Sequence, residues 1–368
     1  MTAEVLLVAV IVVALFFDFT NGFHDAANAI ATSVSTRAVS PRLAVLGAAI
    51  LNFLGAFVSV EVAATVATGV VDAAAVTLDV VLAGVVGAIT WNLITWYVGL
   101  PTSSSHALIG GVAGAAIAAV GWQVLLLGGL VQRVLVPSLL APLIGVASAA
   151  AIMIGILWLV RRRAPGTVNR IFRRLQLVSA SFVAFTHGTN DAQKTMGIIV
   201  LALMAGGHIA PDAFHVPIWV IVSAATAMAL GTYAGGWRII RTLGQRVAKL
   251  EPPQGFAAES ACASILWVTG NVGFPVSTTH TISGCVLGAG ATRRLTAVRW
   301  GVAGNILVAW VLTVPAAATV GATMELLTRV PGGTVVVVAF VSLFAALAFY
   351  ARRQKVETAE TLVAPPPA

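Results

Sequence analysis

Apolar residues fall in long, almost unbroken runs separated by short polar connections. The runs lie at about Val5–Phe17, Leu43–Val66, Val80–Leu100, Ala107–Val120, Val134–Val160 and Leu177–Phe185. They continue at Thr195–Gly206, Pro217–Gly235, Phe256–Val272, Thr281–Ala291, Trp300–Ala322 and Val335–Tyr350. A helix needs roughly 20 apolar residues to cross a bilayer. The pattern therefore predicts an all-α polytopic membrane protein with about eight to twelve hydrophobic segments. Several runs are too short to span alone, and many are interrupted by Gly or Pro. Short interrupted segments at corresponding places in two halves point to a transporter binding site.

Composition agrees with the pattern: of 368 residues, 59% are hydrophobic and only 9% charged. Soluble domains carry about 25% charged residues, so an ordinary water-soluble enzyme is excluded. The net charge of +8 does not indicate nucleic acid, because the basic residues sit in short clusters between apolar runs. Those clusters are Arg161–Arg163 with Arg170, Arg173 and Arg174; Arg238, Arg241, Arg246 and Lys249; Arg293, Arg294 and Arg299; and Arg352, Arg353 and Lys355. The positive-inside rule places them, with Arg37 and Arg42, in the cytoplasm. The connections holding Asp72 to Asp79 and His208 to His215 then lie outside. Cys262 and Cys285 fit neither a disulfide framework nor a zinc site. Val5–Phe17 lacks a basic leader and a small-residue cleavage site, which predicts a retained helix.

Two motifs recur in the same order. Gly22-Phe23-His24-Asp25-Ala26-Ala27-Asn28 is echoed by Gly188-Thr189-Asn190-Asp191-Ala192-Gln193-Lys194, 166 residues later. Pro101-Thr102-Ser103-Ser104-Ser105-His106 is echoed by Pro275-Val276-Ser277-Thr278-Thr279-His280, 174 residues later. The recurrence predicts a duplication: a first unit at 1–160 with a hairpin near 101–120, and a basic cytoplasmic connection at 161–176. A second unit follows at 177–350 with a hairpin near 257–291, then a tail at 351–368. If Val5–Ile30, Leu43–Val66 and Val134–Val160 each cross once, three crossings separate the motifs. An odd number inverts the second unit. The expected fold is an inverted-topology repeat with two re-entrant helical hairpins meeting near the midplane. The stretch Trp122–Arg133 fits this count poorly.

Ionisable groups in apolar segments cost several kcal/mol, which makes Asp25, Asp191 and Lys194 the most informative residues. Asp25 and Asn28, with Asn190 and Asp191, offer a carboxylate and amide oxygens that replace a coupling ion's water shell. The bland alternative is that the aspartates cap broken helices, which leaves their repetition unexplained. Ser103, Ser104 and Ser105 follow Pro101, and Ser277, Thr278 and Thr279 follow Pro275. Proline beside hydroxyls is a helix-start signal, and a buried helix start offers N–H groups to an oxyanion. Against this stands the packing value of small residues between helices in lipid, which one cluster would satisfy as well as a site. His106 and His280 are read mainly as positioning residues. His24 and His187 are better placed for a proton relay, and Glu61 is a weaker coupling candidate.

At these four motifs the chain resembles the inorganic phosphate transporter (PiT) family, most closely its bacterial low-affinity members, from about Leu15 to Ala322. The resemblance implies symport of inorganic phosphate across the cytoplasmic membrane, the hydroxyl clusters around the anion and the aspartate motifs at the coupling ion. Two departures from the sodium-coupled pattern stand out: His24 precedes Asp25, and Lys194 replaces the later Asn of the second signature. A fixed ammonium repels sodium from Asp191, so the expectation is proton coupling. In the bacterial branch that goes with phosphate moved as a neutral complex with a divalent metal, which lowers desolvation cost. The expected partners are inorganic phosphate, protons or sodium and the lipid bilayer, with no cofactor, no nucleic acid and a homo-oligomer left open.

Three alternatives remain at this level: sodium-coupled phosphate symport, carriage of another tetrahedral oxyanion such as sulfate, and an intramembrane hydrolase using Ser104 or Ser105 with His106. The last is disfavoured. Adjacent residues diverge by about 100° on a helix, and no Gly-x-Ser-x-Gly, P-loop or His-Glu-x-x-His motif is present.

Overall fold

Two helices carry the aspartate motifs, and both run straight through them. In the computed structural model, which describes residues 2–292 and 295–353, α1 spans Ala3–Ser35 and α8 spans Pro165–Ala205. Neither breaks at Asp25 or Asp191, so the aspartates are not caps: each sits in mid-helix with its backbone bonded into the ladder. Proline is absent from both helix interiors, and Gly22 and Gly188 lie within continuous helix.

Between and after them lie α2 (Pro41–Gly55), α3 (Glu61–Thr68), α4 (Leu78–Val98), α5 (Ser104–Val120), α6 (Leu127–Gly129) and α7 (Val136–Val160). The second half holds α9 (Ile218–Ala234), α10 (Trp237–Arg241), α11 (Pro252–Val272), α12 (Thr278–Ala291), α13 (Trp300–Thr328) and α14 (Gly333–Arg353). The protein is all-helical and polytopic. Among the described residues, five helical stretches are long and apolar enough to cross a membrane: α1, α4, Leu127–Val160, α13 and Gly333–Ala351. A sixth arises if α9 and the Trp237–Val247 segment, bent by 64°, count as one span.

Several boundaries differ from the sequence expectation. The run Leu43–Val66 divides at Ala56–Val60, where the Ser59 hydroxyl accepts the Glu61 N–H and a new short helix begins. Leu177–Phe185 and Thr195–Gly206 are parts of one helix, α8, because the polar motif between them is helical too. That helix also absorbs most of the basic connection 161–176. Pro165 starts it, and Val168, Phe172, Gln176, Ser179 and Val183 bury one face at helical spacing. Trp122–Arg133 forms a 3-10 turn, then α6 and a π-helical stretch that leads into α7. Arg293, Arg294, Lys355 and Pro365–Ala368 lie outside the described residues.

Each hairpin is longer than the motif that marked it. α4 and α5 form the first, and an isolated bridge between Val71 and Leu125 closes its base. α11 and α12 form the second, closed by a bridge between Ala248 and Val298. At the tips, Gly99 and Gly273 end α4 and α11 with φ of +79° and +84°, a left-handed conformation that only glycine adopts cheaply.

The halves pack reciprocally. Gly22 of α1 abuts the Met228 carbonyl of α9, while Gly188 of α8 abuts the Asn52 carbonyl of α2. Gly110 of α5 abuts Val314 of α13, while Gly284 of α12 abuts Pro142 of α7. A Cβ at any of these positions would collide with backbone, so the glycines set the helix approach. Hydroxyls latch the tips in the same crossed manner: Thr242, just beyond α10, donates to the Gly99 carbonyl at 2.9 Å, and Thr65 of α3 donates to the Gly273 carbonyl at 2.7 Å. This exchange of partners is the packing expected of an inverted repeat.

Candidate functional site

The hydroxyl clusters occupy the starts of the two returning limbs. Ser103 is the N-cap of α5 and accepts the His106 N–H at 3.1 Å; Ser277 caps α12 and accepts the His280 N–H at 3.2 Å. Ser104 and Ser105, and Thr278 and Thr279, form the first turns, where backbone N–H groups have no intrahelical acceptor. All six are buried, and the Ser104 hydroxyl has no protein partner. Two dipole ends rich in donors are thus held out of water, a setting in which they act strongly on an anion.

Each motif helix reaches into the other half's hairpin. Asn28 of α1 donates to the Thr278 and Thr279 hydroxyls, both at 3.0 Å. Lys194 of α8, the counterpart of Asn28, donates to the Ser105 hydroxyl at 2.5 Å and to the Val276 carbonyl at 3.0 Å. Its third proton meets Asp191 at 2.5 Å. An ammonium has three donors, so Lys194 is saturated. The Thr278 hydroxyl lies 3.4 Å from Asp25 and 3.3 Å from Asp191, between the two carboxylates. His24 Nδ1 lies 2.7 Å from Asp25. Asn190 donates to the Phe274 carbonyl at 3.3 Å and leaves its own amide oxygen unpartnered.

His187 faces the same point, and its tautomer follows from its neighbours. The Thr232 hydroxyl is spent on the Met228 carbonyl, so it accepts the Asn52 amide N–H at 2.9 Å. The Asn52 oxygen is then turned to His187 Nδ1, 3.0 Å away, and takes its proton. In the neutral ring this leaves Nε2 with a lone pair. That atom is 3.2 Å from Asp191, where a lone pair and a carboxylate repel unless a proton or a metal cation lies between them. Ligand atoms of Asp25, His187 and Asp191 lie within 4.8 Å of one another. Two hard oxygens and one imidazole nitrogen, the latter oriented from behind by an amide, are suited to a divalent cation.

Most of the sequence-derived candidates meet here: His24, Asp25, Asn28, Asn190, Asp191, Lys194 and the six hydroxyl residues. His106 and His280 stand beside them, rings 4.7 Å apart. His280 stacks on Trp310 at 3.8 Å, and Trp310 donates to the Pro101 carbonyl at 3.1 Å, which steadies the first tip. Glu61 does not join them. It opens α3 with its side chain exposed, because the apolar run breaks just before it. Besides Glu325, which pairs with Arg329 at the end of α13, two buried acids escaped the sequence reading. Glu259 of α11 accepts from Thr32 and Ser179, each at 2.5 Å, and from Gln176 at 3.1 Å, joining α1, α8 and α11. Asp18 of α1 is fully buried with both carboxylate oxygens unpartnered. The signal for both was present, an acid within an apolar run, but neither has an acidic echo in the other half.

Comparison with known proteins places the chain among carriers. A family described as the Phosphate transporter family matches residues 21–321. The chain is 53% identical to a probable low-affinity inorganic phosphate transporter of Mycobacterium bovis over 321 residues, 86% of this chain and 76% of that protein. It is 50% identical to a protein of the same description from Rhizobium meliloti, covering 86% and 95%, and 45% identical to one from Bacillus subtilis, covering 86% and 96%. A solved structure, described as the sodium-dependent phosphate transporter, shares the fold, with a TM-score of 0.80, 24% identity and coverage of 88% and 99%.

Proposed function

The chain belongs to the Phosphate transporter family, and from that membership we propose that it carries phosphate as a complex with a divalent metal, coupled to protons, by alternating access. It is a multi-pass phosphate transporter of the cell membrane, not an enzyme. The observation that carries the finer reading is the cluster of His187 Nε2 with the carboxylates of Asp25 and Asp191, all within 4.8 Å of one another. Lys194 balances one of the two carboxylates, and a divalent metal arriving with phosphate would balance the other and be held by His187 as well. The anion then lies toward the starts of α5 and α12, where Ser103–Ser105 and Ser277–Thr279 offer hydroxyls and helix N–H groups.

Donors without fixed charge hold an oxyanion and still release it. A metal complex of low net charge also avoids most of the cost of drying a bare dianion. A protonated phosphate can donate a hydrogen bond to Asp25 or Asp191, which sulfate at neutral pH cannot. The hairpins, latched at Gly99 and Gly273 by residues from the opposite half, are the moving parts in this reading.

Sodium coupling is the second reading, favoured by the fold shared with a sodium-dependent phosphate transporter. Against it stands Lys194, whose ammonium already balances Asp191, so a cation entering there must bring its own counter-charge, as a metal bound to phosphate does and sodium alone does not. Uptake of labelled phosphate into proteoliposomes, with imposed pH or sodium gradients and with or without magnesium, tests both. The proposal expects stimulation by an inward proton gradient and a requirement for magnesium, with arsenate competing and sulfate not. Stimulation by sodium alone, with no magnesium requirement, would replace it.

A further inference from the structure

A second polar nest lies on α1, apart from the cargo seat. Asp18 is seven residues before Asp25, two turns along the same helix face. It is 0% exposed, and neither carboxylate oxygen has a hydrogen-bond partner. Its polar neighbours are Asn21, one turn further along α1, and Thr195 of α8. The Asn21 amide oxygen and the Thr195 hydroxyl are also buried and unpartnered. Asp18 thus lies beside an amide and a hydroxyl that are buried with it. The charged groups acting on Asp18 are Asp191 and Lys194, both from α8. α9, which packs on α1, contributes no charged residue, and Lys194 is already saturated by Asp191, Ser105 and Val276.

An ionised carboxylate in this position has no counter-ion to spare, and Asp191 adds like charge. A protonated carboxyl needs only one acceptor, which the Asn21 amide supplies by turning its oxygen toward Asp18. When the proton leaves, the Thr195 hydroxyl can turn to donate to the carboxylate. Asp18 therefore has two states that its own neighbours accommodate, differing by one proton. The remaining difficulty is charge: an uncompensated carboxylate would have to move through, or past, a dry interior during reorientation, at a cost of several kcal/mol. Protonation removes it.

We propose that Asp18, held between Asn21 and Thr195, is the site that takes up and releases the coupling proton. The assignment rests on the proton-coupled reading above. It separates the two tasks of the carrier, with metal phosphate at Asp25, His187 and Asp191, and the proton two turns away. It also explains an asymmetry of the duplication, since the residue equivalent to Asp18 in the second half is Ala184. One proton site serves two cargo-facing halves.

The test uses the purified full chain in proteoliposomes with labelled phosphate and magnesium, read in two ways. Exchange is measured with equal phosphate and equal pH on both sides; net uptake is measured under an imposed pH gradient. For the wild type, the gradient should raise the rate above that of exchange. In Asp18→Asn, a neutral isostere of the protonated acid, exchange should remain measurable and the stimulation by the gradient should be lost. Asp18→Glu, which keeps a titratable group, should restore it. An Asp18→Asn protein stimulated as strongly as wild type overturns the assignment. So does loss of exchange in a variant that still elutes as a single species in detergent, which would place Asp18 in the cargo seat. A sodium-driven response that disappears with Asp18→Asn overturns it too, by making the nest a sodium site. If the wild type itself ignores the pH gradient, the proton-coupled reading fails, a result distinct from failure at Asp18.

Discussion

The two motif helices do the same mechanical job with different charges. Gly22 and Gly188 let α1 and α8 approach α9 and α2 at equivalent points, and Asp25 and Asp191 sit one turn beyond each glycine. One turn further, the helices part company: Asn28 offers a neutral amide to the opposite hairpin, whereas Lys194 offers an ammonium. In α8 the cation opposite the aspartate is covalent and permanent. In α1 the balancing charge on Asp25 has to come from His24 or from cargo. The packing contacts, which tolerate almost no change, are alike at the two helices, while the ligand chemistry differs.

That contrast can be broken most sharply at the aspartates. Asp25→Asn should reduce phosphate uptake to background while the protein accumulates normally, since His24, Thr278 and Thr279 remain able to bond an amide. Asp191→Asn should also abolish uptake, and in addition destabilise the fold by about 3–5 kcal/mol, because Lys194 is left buried without its partner. Thermal unfolding in detergent measures the difference. The double variant Asp191→Asn with Lys194→Asn should recover stability but not transport. If Asp191→Asn is as stable as Asp25→Asn, the distinction between a permanent and a borrowed charge is wrong.

Lys194→Asn alone sharpens the contrast from the other side, by making the second motif match the first at this position. Uptake should become responsive to a sodium gradient. Unchanged proton dependence with no sodium effect would count against the role given to the ammonium. A smaller effect is expected behind the site. Asn52→Leu removes the acceptor that fixes His187, so the magnesium concentration for half-maximal uptake should rise roughly 10–100-fold; an unchanged value would separate His187 from the metal.

The least effect belongs to the tips. Thr65→Val and Thr242→Val each remove one hydroxyl-to-glycine latch, at about 1 kcal/mol of stability. Thr65 also accepts from Arg133 at 3.4 Å, so its loss in thermal unfolding should equal or slightly exceed that at Thr242. A large inequality would show that the halves are less alike than their packing implies.

The helical membrane character and the paired motifs were legible in the sequence, since hydropathy runs and recurring residues are properties of the chain read in order. So were the helix starts at Ser104 and Thr278, because proline and small hydroxyl residues are local signals. The boundaries were less so. A polar motif in a long helix looks like a gap in an apolar run, and α8 was therefore read in pieces. Glu61 sat within an apolar run as a weaker candidate than Asp25, and a short break before it turns it outward. Asp18 and Glu259 gave the same signal and are buried, but with no repeat to single them out.

By itself, then, the order of residues determined an all-helical polytopic chain with two pairs of recurring motifs, and acids and hydroxyls where lipid-facing segments would exclude them. Those features follow from the cost of polar groups in hydrocarbon, which each segment meets on its own. Only the tertiary structure decided which donor meets which acceptor: Asn28 with Thr278, Lys194 with Ser105, His187 with Asn52. These partners are 250, 89 and 135 residues apart. No local propensity couples positions so distant; close packing of glycine-lined helices brings them within hydrogen-bond reach.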